Sequence, residues 1–458
     1  HINLFTLAGG PAFAVDGTIN SVNIGKGANS VAGNTVLGES ALDASVSGTN
    51  NTAIGNSSLT ANTSGTRNTA VGKSALPANT TGSKNCAFGE NALLENTTAD
   101  DNSAFGCGAL DANTTGANNT ALGRNTLTDN TTASNNTAVG SSALQSNTTG
   151  TQNVAVGANA LDASTTADNN TAVGYESLTS VTTADGNSAL GAKSLENNTT
   201  GASNTAVGGD SLRNNTTASN NSAFGQSALK ANTTGTSNVA VGAFALDANT
   251  TGQQNTAVGF NSLTSNTTAN FNVALGDNCL SNNTTGVSNI AVGTLTLAAN
   301  TTGGNNIGIG VNTLDANTTA NNNTAVGHKS LGANTTASSN TAVGAFSLDA
   351  CTTGNNNVAV GASAATSVTT ALNTIAIGQS ALSSVTTGNK NIGVGNQAGN
   401  TITTGANNMC LGENAQPSSA TVSNEIVLGN SNNGTLRCQT QTISSLSDER
   451  DKTNIVDI

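Results

Sequence analysis

The chain is short of the residues that build ordinary globular cores and surfaces. Its 458 residues include no Trp, one Tyr, one Met and 3 Pro, and aromatic residues make up only 2%. Charged residues are 8% of the sequence, against roughly 25% in an average domain. A large packed core of the enzyme type is therefore not expected. The scarcity of Pro and the lack of a Gly-X-Y period exclude collagen, and the low charge argues against plain disorder.

Clusters of basic residues and long apolar stretches are also missing. The formal net charge is −12 with 13 Lys and Arg, and the basic residues are scattered, whereas nucleic-acid binding needs them clustered. No apolar run approaches the roughly 18 residues of a membrane span, and residues 1–24 lack a signal-peptide pattern. We therefore expect neither nucleic acid nor a membrane as a partner. Residues 1–20 are interpreted as a segment that joins an upstream part.

The dominant feature of the sequence is a 17-residue repeat. Twenty-four glycines follow one another at this spacing from Gly38 to Gly429, without an insertion. The repeat 136–152 serves as the reference, and each column of equivalent residues is named after its member there. A strict period over so many copies suits coils stacked on one another, because an insertion would break the register of its neighbours.

Each column of the repeat has its own chemistry. The Val139 column, directly before the glycine, is always apolar, and the Ala138 column is nearly always small. Leu stands in 20 of the 24 repeats in the Leu144 column, and Asn stands in 22 of 24 in the Asn136 column. A polar tract, commonly Asn-Thr-Thr-Gly, completes the unit.

These columns predict an all-β fold, a parallel β-solenoid or β-roll with one coil per repeat. The segment 136–139 alternates as a strand does, and Gly140 marks a corner that needs positive φ or close backbone approach. The tract 147–150 reads as a second turn, and so much Asn, Thr and Gly disfavours a helix. Residues 21–433 are predicted to form this shaft, a rod about 115 Å long at the spacing of strands.

The interior of one coil is predicted to be thin. We place the Val139 column inside and expect the Asn columns to hydrogen-bond amide to amide along the stack. The Ala138 column would then supply a flat apolar face along which three copies pack around an axis. Accordingly, Val207→Asp should bury an unpaired charge in the coil, whereas His328→Ala, in a variable column, should be nearly silent.

The repeat resembles the head repeats of YadA-type trimeric autotransporter adhesins. The shared element is the Ser/Asn-x-Ala-Val/Ile-Gly strand, which recurs through most of residues 21–430. The resemblance implies a left-handed parallel β-roll in a homotrimer. The unit here is longer than that family's, and the extra polar residues lie in the Asn-Thr-Thr tract. The repeats also look like those of tail-fibre proteins of marine phages.

The end of the chain resembles the opening of the endosialidase-type intramolecular chaperone domain. The residues that carry this pattern stand at fixed offsets, and they are Ser447, Asp448, Arg450, Lys452, Asn454 and Ile455. The resemblance implies a domain that helps three chains of a phage tail fibre or tail spike to assemble and then releases itself. Residues 434–446 fit the short β neck before the cut, and residues 447–458 fit the start of the chaperone.

The residues of this motif suit a single self-cleavage. The resemblance places the cut between Ser447 and Asp448, and a serine hydroxyl attacks only when a neighbour takes its proton. Lys452 is the candidate base, and Arg450 would orient Asp448 or stabilise developing charge. The alternative is a charged surface turn that caps the rod. Apart from this step, we expect no enzymatic activity.

The leading functional interpretation is the shaft of a trimeric phage tail fibre, an extracellular part of the virion that contributes to host attachment. Its expected partners are two further copies of the chain, other tail proteins, and a receptor or glycan on the host surface. A bacterial cell-surface trimeric adhesin and an ice-binding solenoid, whose threonine arrays order water, are the alternatives. We expect no cofactor and no metal.

The remaining reactive residues fit the repeat as small or exposed positions. Cysteines occur singly in different columns and form no Cys-x-x-Cys pair, which disfavours a metal cluster; they are Cys86, Cys107, Cys279, Cys351, Cys410 and Cys438. The two histidines, His1 and His328, are far apart in the sequence. His328 follows its repeat glycine and is predicted to be exposed.

Overall fold

The structure of the chain, a computed structural model, describes residues 17–19, 21–44 and 46–432. Among these residues the only helical segment is a short 3-10 helix at Ala28–Ser30, and all other regular structure is β. From β3 onward a strand begins every 17 residues. The strands are β1 Gly17–Ile19, β2 Val22–Gly25, β3 Thr35–Gly38, β4 Thr52–Ile54, β5 Thr69–Val71, β6 Cys86–Phe88, β7 Ser103–Phe105, β8 Thr120–Leu122, β9 Thr137–Val139, β10 Val154–Val156, β11 Thr171–Val173, β12 Ser188–Leu190, β13 Thr205–Val207, β14 Ser222–Phe224, β15 Val239–Val241, β16 Thr256–Val258, β17 Val273–Leu275, β18 Ile290–Val292, β19 Ile307–Ile309, β20 Thr324–Val326, β21 Thr341–Val343, β22 Val358–Val360, β23 Ile375–Ile377, β24 Ile392–Val394, β25 Met409–Leu411 and β26 Ile426–Leu428.

The strands form one continuous sheet in chain order. From β3–β4 to β25–β26 every neighbouring pair is parallel, and each residue faces the residue one repeat further on, as Ala155 faces Ala172. One repeat is therefore one coil, and its remaining residues return through turns to the start of the next strand. The predicted parallel β-solenoid with 17-residue coils is confirmed. Its 24 regular strands span about 110 Å at the usual strand separation.

An antiparallel pair precedes the regular coils. β1 pairs with β2, and β2 pairs with β3, in both cases antiparallel. The strand β2 thus runs against the direction of the coils. It occupies the hydrogen-bonding edge of the first coil, and a covered edge cannot pair with another sheet.

The repeat glycine meets both conditions that the sequence suggests for it. From Gly55 to Gly412 the repeat glycines have φ between 116° and 146°, which L-residues rarely adopt. A Cβ at Gly208 would also lie 2.5 Å from the carbonyl oxygen of Gly225 in the next coil. The column is glycine because the corner is left-handed and because consecutive corners stack backbone on backbone.

The Leu144 column adopts a conformation that the sequence did not indicate. Its leucines have φ between 48° and 56°, in the left-handed region that costs an L-residue about 1–2 kcal/mol. They are fully buried, Leu144 at 0% exposure. Complete burial of a Leu side chain contributes about 2 kcal/mol, which offsets the backbone cost in each coil.

The predicted facing of the strand is wrong. Within each three-residue strand the middle residue points inward and the two outer residues point outward, so Ala138 is buried and Val139 is half-exposed. The interior beside the strand is narrow: even the Cβ of an Ala at Gly393, in the Ala138 column, would lie 2.7 Å from Leu382 Cγ. In most coils the column therefore holds a small residue, because the leucines of the Leu144 column already fill the space.

Candidate assembly interface

The outer face of the sheet is uncharged and carries an apolar column along the whole shaft. It consists of the Thr137 and Val139 columns, which both point away from the coil interior. Many members of the Val139 column are large and exposed; they are Leu37, Phe88, Phe105, Leu122, Leu190, Phe224, Val241, Val258, Leu275, Ile309, Val343, Val360, Ile377, Val394 and Leu428. Leu190 is 50% exposed. We call this surface the outer face.

The outer face carries no charge. In none of the 24 coils does either of its two columns hold a charged residue. The side of a sheet that is exposed to water normally carries polar side chains. Extended exposed apolar patches mark interaction sites. A stripe of this length on one isolated coil stack therefore points to a surface that another molecule covers.

Side chains on and beside the outer face stack from coil to coil. The rings of Phe88 and Phe105, in adjacent coils, are parallel with centroids 4.8 Å apart. At the corner beyond the repeat glycine, Phe244 meets Phe260 edge to face at 6.1 Å. His328 is exposed, as the sequence predicts, and its ring lies edge-on to Phe346 at 5.2 Å. Rings of adjacent coils thus stack along the rod, within one column for the first pair and across neighbouring columns for the other two.

Two buried Asn columns hold the coils in register behind the outer face. In the Asn147 column each amide donates to the amide oxygen of the preceding coil, as Asn147 Nδ2 donates to Asn130 Oδ1 at 3.0 Å. The predicted amide-to-amide ladder is confirmed for this column. In the Asn136 column the amide bonds mainly to backbone: its Oδ1 accepts from the N–H of Asn153 at 2.9 Å, and its Nδ2 donates to the Gly150 carbonyl at 2.9 Å.

The Asn147 ladder is interrupted where the column changes residue. Ser164 follows Asn147, and both Asn147 Oδ1 and Ser164 Oγ are buried without a hydrogen-bond partner. Cys351 follows Asn334, and Asn334 Oδ1 is likewise left alone. Where the amide is missing, the side-chain oxygen of the preceding coil therefore has no hydrogen-bond donor. An unpaired buried polar atom is unfavourable. Between such interruptions the amides bond from coil to coil, as in the stretch 198–334.

Charges gather at the corner next to the outer face. Lys193 Nζ lies 3.0 Å from Glu176 and 3.5 Å from Glu196, and the hydrogen bond to Glu176 raises the pKa of Lys193. The network extends over four successive coils, and its members are Glu176, Lys193, Glu196, Asp210, Arg213 and Lys230. These pairs are solvated and contribute little stability each. Their position shows that the shaft tolerates charge beside the outer face and excludes it from the face itself.

The cysteines of the described coils are single side chains in different surroundings. Burial raises the pKa of the Cys279 thiol to about 12 and that of Cys351 to about 11, so both stay protonated. Cys410 is also buried, Cys107 is exposed and Cys86 is half-buried on the outer face. Across residues 17–19, 21–44 and 46–432, no group of three or more His, Cys, Asp or Glu could hold a metal ion.

The predicted self-cleavage residues lie outside the described part of the chain. This applies to Ser447, Asp448, Arg450 and Lys452, and also to the neck at 434–446. The shaft itself is described as far as the turn after β26.

The outer face is the surface whose facing the sequence-based prediction reversed. A strand of the type Thr-Ala-Val puts its middle residue on one side and its neighbours on the other, and periodicity alone does not say which side is inside. A signal was present, because both neighbours of the Ala138 column lack charge in every repeat. A column pair without charge on a rod that is otherwise polar is typical of a contact surface.

Within the described coils no helix is long and apolar enough to cross a membrane. Comparison of the chain with models of protein families and with curated protein sequences finds no match in either.

Proposed function

We propose that the chain is the shaft of a homotrimeric fibre, and that the three copies meet through the outer face. The single observation that carries this proposal is the uncharged apolar face that runs along all 24 coils. Burial of apolar surface is the main driving force for such association. A long interface of this kind, repeated coil after coil, suits a permanent assembly more than a transient contact.

Three copies are proposed for a geometric reason and a sequence reason. Three sheets arranged around an axis turn every outer face inward at once, which leaves no copy with an uncovered stripe. The repeats resemble those of trimeric adhesin heads, and the motif at 447–455 resembles a chaperone that assembles three chains. These resemblances also support a left-handed coil.

The proposed biological role is attachment of a virion to its host. A stiff rod of about 110 Å serves to hold a receptor-contacting part away from the particle to which it is fixed. The motif at the end of the chain favours a phage tail fibre over a bacterial surface adhesin. Partners would then be other tail proteins and a receptor or glycan on the host cell, outside any membrane. We propose no catalytic role apart from self-cleavage.

Light scattering on the purified chain in non-denaturing buffer tests the assembly. We expect a mass close to three times the 44.6 kDa of one chain, because isolated copies would leave the outer face in water. The mass should not change on tenfold dilution, since the interface extends along the whole shaft. A mass near 44.6 kDa would contradict the trimer.

Self-cleavage is testable on a longer gene product that continues beyond Ile458. Expression should yield two fragments cut between Ser447 and Asp448, while Ser447→Ala and Lys452→Ala should leave the precursor intact. Both variants should still form trimers, because assembly precedes the cut in the proposed order. Mass spectrometry of mature particles provides the check, and intact peptides spanning Leu446 to Arg450 at full abundance would argue for a structural turn.

One observation favours the ice-binding alternative. The Thr149 column is threonine in 20 consecutive coils, from Thr81 to Thr404, and is exposed in each of them. Hydroxyls of the adjacent Thr148 column are already used, since Thr148 Oγ1 donates to the Thr165 carbonyl at 3.0 Å. A single regular file of hydroxyls therefore faces water. Thermal hysteresis of the purified rod would support this role, and its absence would remove it.

A further inference from the structure

The outer face changes composition along the shaft. In the first seven regular coils the Thr137 column holds hydroxyl or thiol side chains, and aliphatic residues are absent from it as far as Thr137 itself. In the last five strands both columns are wholly apolar. Their ten outward side chains are Val358, Val360, Ile375, Ile377, Ile392, Val394, Met409, Leu411, Ile426 and Leu428.

These ten side chains are accessible in the single chain. Ile426 is 68% exposed and Leu428 52%, and Ile377 is 41% exposed. The columns on either side of this stretch are polar, with Lys390 before one strand and Glu413 after another. An apolar centre with a polar rim is the usual anatomy of a protein interface. We call the outer face of residues 358–428 the C-terminal patch.

We infer that the C-terminal patch is the segment that holds the three copies together, each copy packing against the same patch of the others. This inference rests on the proposed trimer. In a parallel assembly with equal register, each strand faces its own counterpart, so apolar residues meet apolar residues throughout the patch. In six of the first seven coils a hydroxyl of the Thr137 column must lose water on burial, and an unpaired hydroxyl makes that unfavourable.

The chain's own terminal segment is a poorer occupant of the patch. Residues 433–446 contain few large apolar side chains, which are Leu436, Ile443 and Leu446. Residues 447–458 are rich in charge. These three, with Ile455, Val456 and Ile458 among the charged residues, do not match ten outward apolar side chains, whereas a second copy supplies an identical set. A second copy is therefore the occupant that the composition favours.

The position of the patch has a consequence for the proposed maturation. The patch ends at Leu428, before the neck and before the proposed cut at Ser447. Copies joined there stay joined after the residues beyond Ser447 are released. The shaft would thus keep its assembly without the helper that guided it.

Isosteric substitutions on the outer face test the inference. The test variant is Val358→Thr/Val360→Thr/Val394→Thr in the patch. The matched control makes the same three changes in the first half of the shaft, and it is Val71→Thr/Val139→Thr/Val154→Thr. Each variant changes one residue of the Thr137 column and two of the Val139 column and keeps β-branched residues on outward strand positions, so both coils should fold. Circular dichroism checks this before the assay.

The readout is exchange of subunits between two differently tagged preparations of the full chain, at a guanidinium concentration where wild-type exchange is slow but measurable. We expect the patch variant to exchange about tenfold faster or more, and the control to remain near the wild-type rate. Equal rates for the two variants, or faster exchange of the control, would overturn the inference while leaving the trimer intact. A wild-type mass of one chain would instead overturn the proposed function itself.

Discussion

Ala206→Asp should prevent its coil from folding, whereas Val207→Asp should leave the coil folded and keep the copies apart. The two residues are neighbours in β13, and their side chains leave opposite sides of the sheet. Ala206 is completely buried, and a carboxylate there would have neither water nor a partner, at a cost of at least about 3 kcal/mol. The sequence analysis predicts that Val207 lies inside the coil, but in the structure the interior residue is Ala206.

Val207→Asp acts at a later step. In the single chain the new carboxylate would stay hydrated on the outer face, so the fold is kept. On assembly, each trimer would have to bury three such carboxylates on facing surfaces, without cations, since no charged residue lies on either column. Mutual repulsion and loss of water both oppose association.

Circular dichroism and light scattering separate the two effects. Ala206→Asp should lose β signal or melt well below the wild type, and Val207→Asp should retain the β signal at the mass of one chain. His328→Ala, on an exposed side chain, is the control and should behave as the wild type in both measurements. A folded, assembled Val207→Asp rod would show that copies do not meet through the part of the outer face around Val207.

Gly208→Ala should destabilise the shaft strongly, whereas Gly209→Ala should be neutral or slightly stabilising. Gly208 has φ near 125°, and a Cβ there would meet the Gly225 carbonyl oxygen at 2.5 Å. Strain and clash together should lower the stability of the coil by about 3 kcal/mol or more. At Gly209 the nearest atom to an added Cβ is 4.0 Å away. Ala there restricts the unfolded chain, which stabilises the folded state by up to about 1 kcal/mol.

Thermal melting followed by circular dichroism checks this pair. The two substitutions add the same single methyl group to adjacent residues, so composition and helix or strand propensity cannot account for a difference. Similar melting temperatures for both variants would mean that the repeat glycine is not needed for the stacked corner.

Much of the fold follows from the period of the sequence. A repeat of 17 residues without insertions can only keep register if equivalent residues stack, and this gives the parallel strands, the stacked glycine corner and the Asn147 ladder. The corner at the repeat glycine could be predicted because few other residues tolerate such a backbone conformation. The Asn columns could be interpreted because a buried amide needs partners, and the next coil offers an identical one.

The facing of the strand and the form of the Leu144 column could not be derived in this way. Ala138 and Val139 are both apolar, so hydrophobicity does not indicate which of them points inward. Side-chain volume decides it, because the leucines of the Leu144 column leave room beside the strand for a small residue such as Ala. Those leucines adopt a left-handed backbone conformation that is locally unfavourable, because the free energy gained by burying their side chains is larger than the backbone cost. The alternation pattern of a single strand indicates neither its facing nor the leucine conformation, since both arise from packing across the coil.

The most direct test of the central claim is electron cryomicroscopy of the assembled rod in cross-section. We expect three coils around one axis, with strands about 4.8 Å apart along the rod and with the outer face, which includes Val139 and Val207, turned toward the axis. A rod made of a single coil, or a bundle in which the outer face lies against solvent, would contradict the account.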